Sequence, residues 1–238
     1  MDSSRWWENY AVRYFVGTII GAGAVLMFNE YSASPLKGTL FPALSNFKDA
    51  GAQHLVVLGA LGLAYCYVAS APMLTLHSLR GEFTAGSKKP FTWFSVIFAA
   101  LFAAIFFGAH VIVPVGLWSW QSLALAFASL VLAFQLSLLF AAATNRFERI
   151  FAYYLVLCTS RSSEARQVRE YVESYRHMRE HGNAFFIVLL ELGLAMTAIA
   201  VPSLALLAAL VVLWVLPASA AWLVGTVLES RLSRVPTA

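Results

Sequence analysis

Charge is what this sequence has least of. Only 12% of its 238 residues are Asp, Glu, Lys or Arg, against roughly 25% in soluble domains. With 60% of residues hydrophobic and a mean hydropathy of +0.73, the chain needs lipid, as well as a core, to keep its apolar surface from water. Cysteine is scarce too. Cys66 and Cys158 have no spacing that suggests a metal or a disulfide framework, so both are expected as free thiols. No HExxH, GxxxxGK, GxSxG or CxxC motif is present, nor an aspartate-rich phosphate-binding loop. These absences favour a non-enzymatic protein with no catalytic, cofactor-binding or metal-binding residues to assign.

What the chain does have is apolar blocks separated by its charges. The first runs from about Ala11 to Phe28, with Tyr10 and Tyr31 able to extend it into the interfaces. Arg5 and Arg13 ahead of an apolar run also raise a signal peptide, with Ser32-Ala33-Ser34 loosely resembling a cleavage site. Trp6, Trp7, Glu8 and Asn9 make a poor basic leader, which favours a span. Further blocks cover about His54–Leu76, Phe91–Leu117 and Ser122–Ala143. The short Trp118–Gln121 link makes the third and fourth antiparallel neighbours.

The last apolar stretch is too long for one crossing. At ~1.5 Å per residue, a helix from Asn183 to Leu228 would run roughly 69 Å, more than twice a ~30 Å hydrocarbon slab. Pro202 supplies a break, giving helices over Ala184–Val201 and Leu204–Gly225, with Pro217 kinking the second. The fold class expected is all-α: a polytopic transmembrane helical bundle, most simply of six spans with both termini cytoplasmic. A five-span version is the alternative.

Basic residues orient this layout. Lys and Arg outnumber Asp and Glu by 16 to 12. All but Lys37 and Lys48 fall in segments that the six-span reading places inside, the positive-inside pattern of a bacterial inner membrane or other plasma membrane. Membrane lipid is thus the expected partner of the basic excess, and nucleic acid is not. The regions expected are a four-helix part over 1–143 with an outer connection at 29–53, a cytoplasmic helical module at 144–182, a C-terminal hairpin at 183–228 and a tail at 229–238.

The module is the one sizeable polar segment. Phe147, Ile150, Phe151, Tyr154, Leu155 and Cys158 recur at helical spacing, after which Thr159-Ser160 weakens the pattern. A second helix over Glu164–His181 carries Val168, Tyr171, Val172, Tyr175 and Met178 on one face and Arg–Glu pairs four residues apart on the other. That apolar face is a candidate docking surface for a second copy, giving a homo-oligomer, or for a cytoplasmic protein partner.

Three positions are candidates for an intramembrane polar or pore site. Glu191 lies about eight residues into its helix, where a carboxylate is costly against lipid and must face a protein interface, face a wet cavity or be protonated. Gln135 falls at a matching depth and could donate to it. His110, with His54, Glu30 and Asp49, is assigned to the outer side. Gly17 and Gly21 form a GxxxG pattern, a candidate helix-packing site. A component or sensor that assembles or docks is the leading reading, ahead of an oligomeric channel and then a proton-coupled transporter.

Overall fold

The computed structural model describes residues 6–41, 51–79, 82, 90–144, 147–162 and 184–232. Within them the chain is all-helical: α1 (Trp6–Glu30), α2 (Ala52–Ser70), α3 (Pro72–Leu79), α4 (Pro90–Ile112), α5 (Trp120–Thr144), α6 (Glu148–Ser162), α7 (Ala184–Ala200) and α8 (Leu204–Leu232). Four stretches, Ala52–Ser70, Trp93–Ile112, Trp120–Thr144 and Leu204–Leu228, are long and apolar enough to cross a membrane. Tyr14–Glu30 and Ala184–Ala200 are apolar but shorter.

Local chemistry sets the helix ends. After α1, the main-chain carbonyl of Asn29 accepts from Gly38 N–H at 3.0 Å and its side-chain oxygen from Phe41 N–H at 3.1 Å. Gly38 takes φ = 67°, a region glycine enters without a Cβ clash. The segment thereby folds back, and Phe41 is buried with Val25 and Leu58.

The second apolar block, expected over about His54–Leu76, is interrupted at Ala71. Pro72 has no N–H to donate and its ring crowds the preceding turn, so α2 stops at Ser70 and α3 starts at Pro72. The Ser70 hydroxyl donates to the Tyr67 carbonyl at 3.3 Å. The third block is also shorter than expected: α4 ends at Ile112, because Pro114 and Gly116 stop the ladder before Leu117. Ser119 then caps α5, its hydroxyl accepting from Ser122 N–H at 3.2 Å.

At the far end of α5, Phe147 adopts φ = 59° and donates its N–H to the Ala142 carbonyl at 3.0 Å. The chain therefore turns before α6, and α6 is no extension of α5. It also runs on through Thr159 and Ser160 to Ser162. Pro202 separates α7 from α8 as expected, with the Ser203 hydroxyl accepting from Leu206 N–H at 3.3 Å to cap α8. That helix continues through Pro217 to Leu232.

Two compact units emerge from the contacts. The first comprises Met1–Ser70, Ala109–Ala128 and Glu180–Val212. Its core gathers Ala24, Phe28, Val113, Leu125, Ala195, Ala198, Val201 and Leu207. The second comprises Ala71–Gly108, Ser129–Arg179 and Leu213–Ala238. Its core gathers Leu79, Leu138, Ala142, Ile150, Ala221 and Leu228. The apolar face of α6 is used here: Ile150 is fully buried, Phe151 and Tyr154 lie against it, and the Tyr154 hydroxyl donates to the His77 carbonyl at 2.8 Å.

Many large apolar side chains point outward. No residue from Trp93 to Ile112 in α4 is buried, and Val111 is 84% exposed. Phe94, Phe98, Phe102 and Phe106 follow one another four residues apart, ring over ring along that helix. Such a surface is ordinary against hydrocarbon and unfavourable in water.

Candidate functional site

The α7 sequence divides into two faces. Leu190, Glu191, Leu194, Ala195, Thr197, Ala198 and Val201 are buried, while Phe185, Phe186, Leu189, Leu192 and Met196 are exposed. Helical spacing alone carries Glu191 inward, on the side where small residues let other helices come near. It is fully buried.

What meets it comes from α1 and α2. Gly17 has no side chain; a Cβ there would touch Cys66 Sγ and stand 3.2 Å from Glu191 Oε1. One turn on, Gly21 abuts the main chain of Gly62, which in turn lies against Thr18 and Ala22. The GxxxG pair thus brings α1 onto α2 of the same chain. Gly23, in contrast, faces open space. The Tyr65 hydroxyl donates to the main-chain carbonyl of Glu191 at 2.6 Å. The carboxyl itself has no full hydrogen bond to either oxygen, and the Cys66 thiol is the polar group beside it. Because insertion scales assign roughly 2.5–3.5 kcal/mol to a central charged residue, an ionised, unpartnered carboxyl here would be a large liability.

The rest of the α7 face is held by packing and by one hydroxyl. Thr197 Oγ1 stands 3.0 Å from the Ala124 carbonyl and 2.8 Å from that of Gly193. Gly193 makes room for the Phe127 ring, which would overlap any Cβ placed there.

No protein-family model, curated protein or solved structure matches this chain. Function has to be argued from these residues themselves.

Gln135 bonds within its own unit. In the second unit it is fully buried; its oxygen accepts from Thr75 Oγ1 at 3.0 Å and its Nε2 donates to the Trp214 carbonyl at 3.3 Å. These bonds join α3, α5 and α8 at Gln135. His110 pairs with Ser122 Oγ at 3.0 Å. His54 Nδ1 accepts from Gly51 N–H at 3.1 Å, and Glu30 accepts from Asn29 at 3.0 Å. Among the described residues no group of three or more His, Cys, Asp or Glu could hold a metal ion. Val168, Tyr171, Val172, Tyr175 and Met178 lie outside the described residues.

Sequence reasoning missed Cys66, Tyr65 and Thr75 as partners in these polar contacts. The depth argument applied to Gln135 would have found Cys66, about ten residues before the end of its apolar block, had it been extended to the second block.

Proposed function

We propose that this chain is a multi-pass membrane component without chemistry of its own, whose apolar helices hold the 144–182 module at the cytoplasmic surface to assemble with a second copy or dock a cytoplasmic protein. The observation that carries this reading is how the polar groups within the apolar helices are used. Thr75, Gln135, Thr197 and Tyr65 each bond to a neighbouring helix, which is what a packed scaffold needs and what a hydrated lane would have to forgo.

Six crossings remain the arrangement that fits best, with α1 and α7 joining the four helices whose apolar stretches are long enough to span, and both termini inside. Glu148 and Arg149 open α6, and the arginine-rich segment that follows it puts the module on the basic side. A bacterial inner membrane or another plasma membrane suits that charge distribution.

An oligomeric pore is the second reading, favoured by one feature, the buried carboxyl of Glu191. Gln135 and His110 bring it little, since both already have partners. The discriminating experiment replaces Tyr171 and Tyr175 with Ser in the full-length protein and measures the mass of the detergent-solubilised assembly and its co-purifying proteins. Loss of mass or of a specific partner supports the docking role. Unchanged mass and composition would defeat it, and conductance abolished by Glu191→Gln in bilayers would favour the pore.

A further inference from the structure

Within the first unit, Glu191 stands in a surrounding unlike that of any other acidic side chain described there. Its carboxyl is fully buried, and beyond the adjoining Cys66 thiol its oxygens have no hydrogen-bond partner. Each helix packed against it can be asked what it offers. From α1 comes Gly17, with no side chain at all. From α2 come Cys66, a weak donor and weak acceptor, and Tyr65, whose hydroxyl is already given to the Glu191 main-chain carbonyl. Further along α7, α5 offers the Ala124 carbonyl to Thr197 and the Phe127 ring to Gly193, neither of them titratable. On α1 itself, Arg13 stands one turn before Gly17.

A carboxylate in that setting would have lost its water and gained no strong donor in exchange. A neutral carboxylic acid has a different requirement: one O–H to place, and the Cys66 sulfur beside it to receive it.

We propose that Glu191 is a proton-binding site: its carboxyl holds a proton while α1, α2 and α7 stay packed, and releases it only when α7 parts from Gly17 and Cys66. In the release step the carboxyl O–H bond breaks, its electron pair stays on Glu191, and the proton passes to water admitted between the helices. Two features make this a coupled event. Gly17 and the glycine crossing at Gly21 and Gly62 hold α1 and α2 too close for water to reach the carboxyl without separation. The Tyr65 bond ties the Glu191 backbone to α2, so its release reports the same movement. The site goes beyond the docking role proposed above and rests only on these helices lying in the membrane. It makes the bundle responsive to protons.

The test uses full-length protein in lipid nanodiscs. Infrared spectra at neutral pH are expected to show the carbonyl stretch of a protonated carboxylic acid, shifted in D2O, lost in Glu191→Gln and retained in Glu82→Gln, the other buried glutamate among the described residues. Alkylation of Cys66 by a membrane-permeant maleimide, in a Cys158→Ser background, gives a second readout. In Glu191→Gln only the thiol proton must leave, so the rate should rise about tenfold per pH unit; in the parent two protons must leave, and the rise should approach about hundredfold.

An acid band absent from the parent at neutral pH, as ionic pairing with Arg13 would give, overturns the proposal. So does a band that survives Glu191→Gln, or equal labelling slopes in the two proteins. Should Glu191→Gln fail to fold, the D2O-sensitive band of the parent with Glu82→Gln, sought with isotopically labelled glutamate, decides alone. Polarised spectra of the same film keep the membrane reading separate, since helices lying in the film plane would reject the crossings whatever the carboxyl band does.

Discussion

The Tyr65 hydroxyl and the main-chain carbonyl of Glu191, 2.6 Å apart, join α2 to α7. The Tyr65 ring also meets Phe28 edge to face, with centroids 5.5 Å apart, so Tyr65→Phe removes the hydrogen bond and keeps the packing. Interhelical hydrogen bonds in membranes average about 0.6 kcal/mol, with a maximum near 1.7. The short distance and the burial of α7 place this one toward the upper part, and reversible unfolding in mixed detergent should show a loss of about 1 kcal/mol. Tyr65→Phe as stable as the parent would mean that the bond is matched in the unfolded state.

The glycine positions should respond very differently to alanine. At Gly21 and Gly62 a methyl group would meet main chain, which cannot rotate aside, whereas at Gly23 it would meet nothing. Gly21→Ala and Gly62→Ala are expected to destabilise by about 1–3 kcal/mol, the usual cost of overpacking. Gly23→Ala should be neutral or gain up to about 1 kcal/mol from helix propensity. Unfolding midpoints of the three variants check the order, and a harmless Gly21→Ala would contradict the close α1–α2 crossing.

At Gly193 the obstacle is the Phe127 ring. Gly193→Ala should cost about 1–3 kcal/mol, and Phe127→Leu in the same chain should restore part of the loss by vacating the space. Losses that simply add, in place of cancelling, would show that the two sites do not share that volume.

The Thr75–Gln135 bond lends itself to a double-mutant cycle. Gln135→Leu removes the acceptor of the Thr75 hydroxyl and one donor to the Trp214 carbonyl. Thr75→Val with Gln135→Leu removes both ends of one bond and should be milder than the sum of the single changes. A coupling energy of about 0.6–1.7 kcal/mol is expected from denaturant titration; zero coupling would exclude the contact.

Much of the fold was legible because apolar block length and proline placement are strong local signals. The α7–α8 break at Pro202, the passage of α8 through Pro217 and the inward face of Glu191 follow from them directly. Interruptions inside apolar runs were harder to read. The stop at Ala71 and the early end of α4 depend on whether Pro72 and Pro114 meet a backbone that can compensate, which a tolerant membrane helix sometimes does. The run of α6 through Thr159 and Ser160 shows the converse: weak helix formers remain helical once Ile150 and Tyr154 anchor the helix to a core.

Polar partners were least legible. Matching depth says that two residues share a level and nothing of which helices are neighbours, so it gave no sign of the bonds from Gln135 to Thr75 and Trp214. Cys66 was read as a free thiol and given no partner, because a thiol in an apolar run reads as a small hydrophobe. Only the approach of α1 and α2 through their glycines places it beside a carboxyl.

Everything turns on hydrocarbon covering the outward faces of these helices, and spin labels in bilayers measure that directly. Labels at Val96, Phe107 and Val212, all well exposed, should collide often with dissolved oxygen and seldom with a water-soluble nickel chelate, whereas labels at the buried Ala133 and Ala195 should meet little of either. Frequent collision with the chelate at Val96, Phe107 and Val212 would put those faces in water and contradict the account.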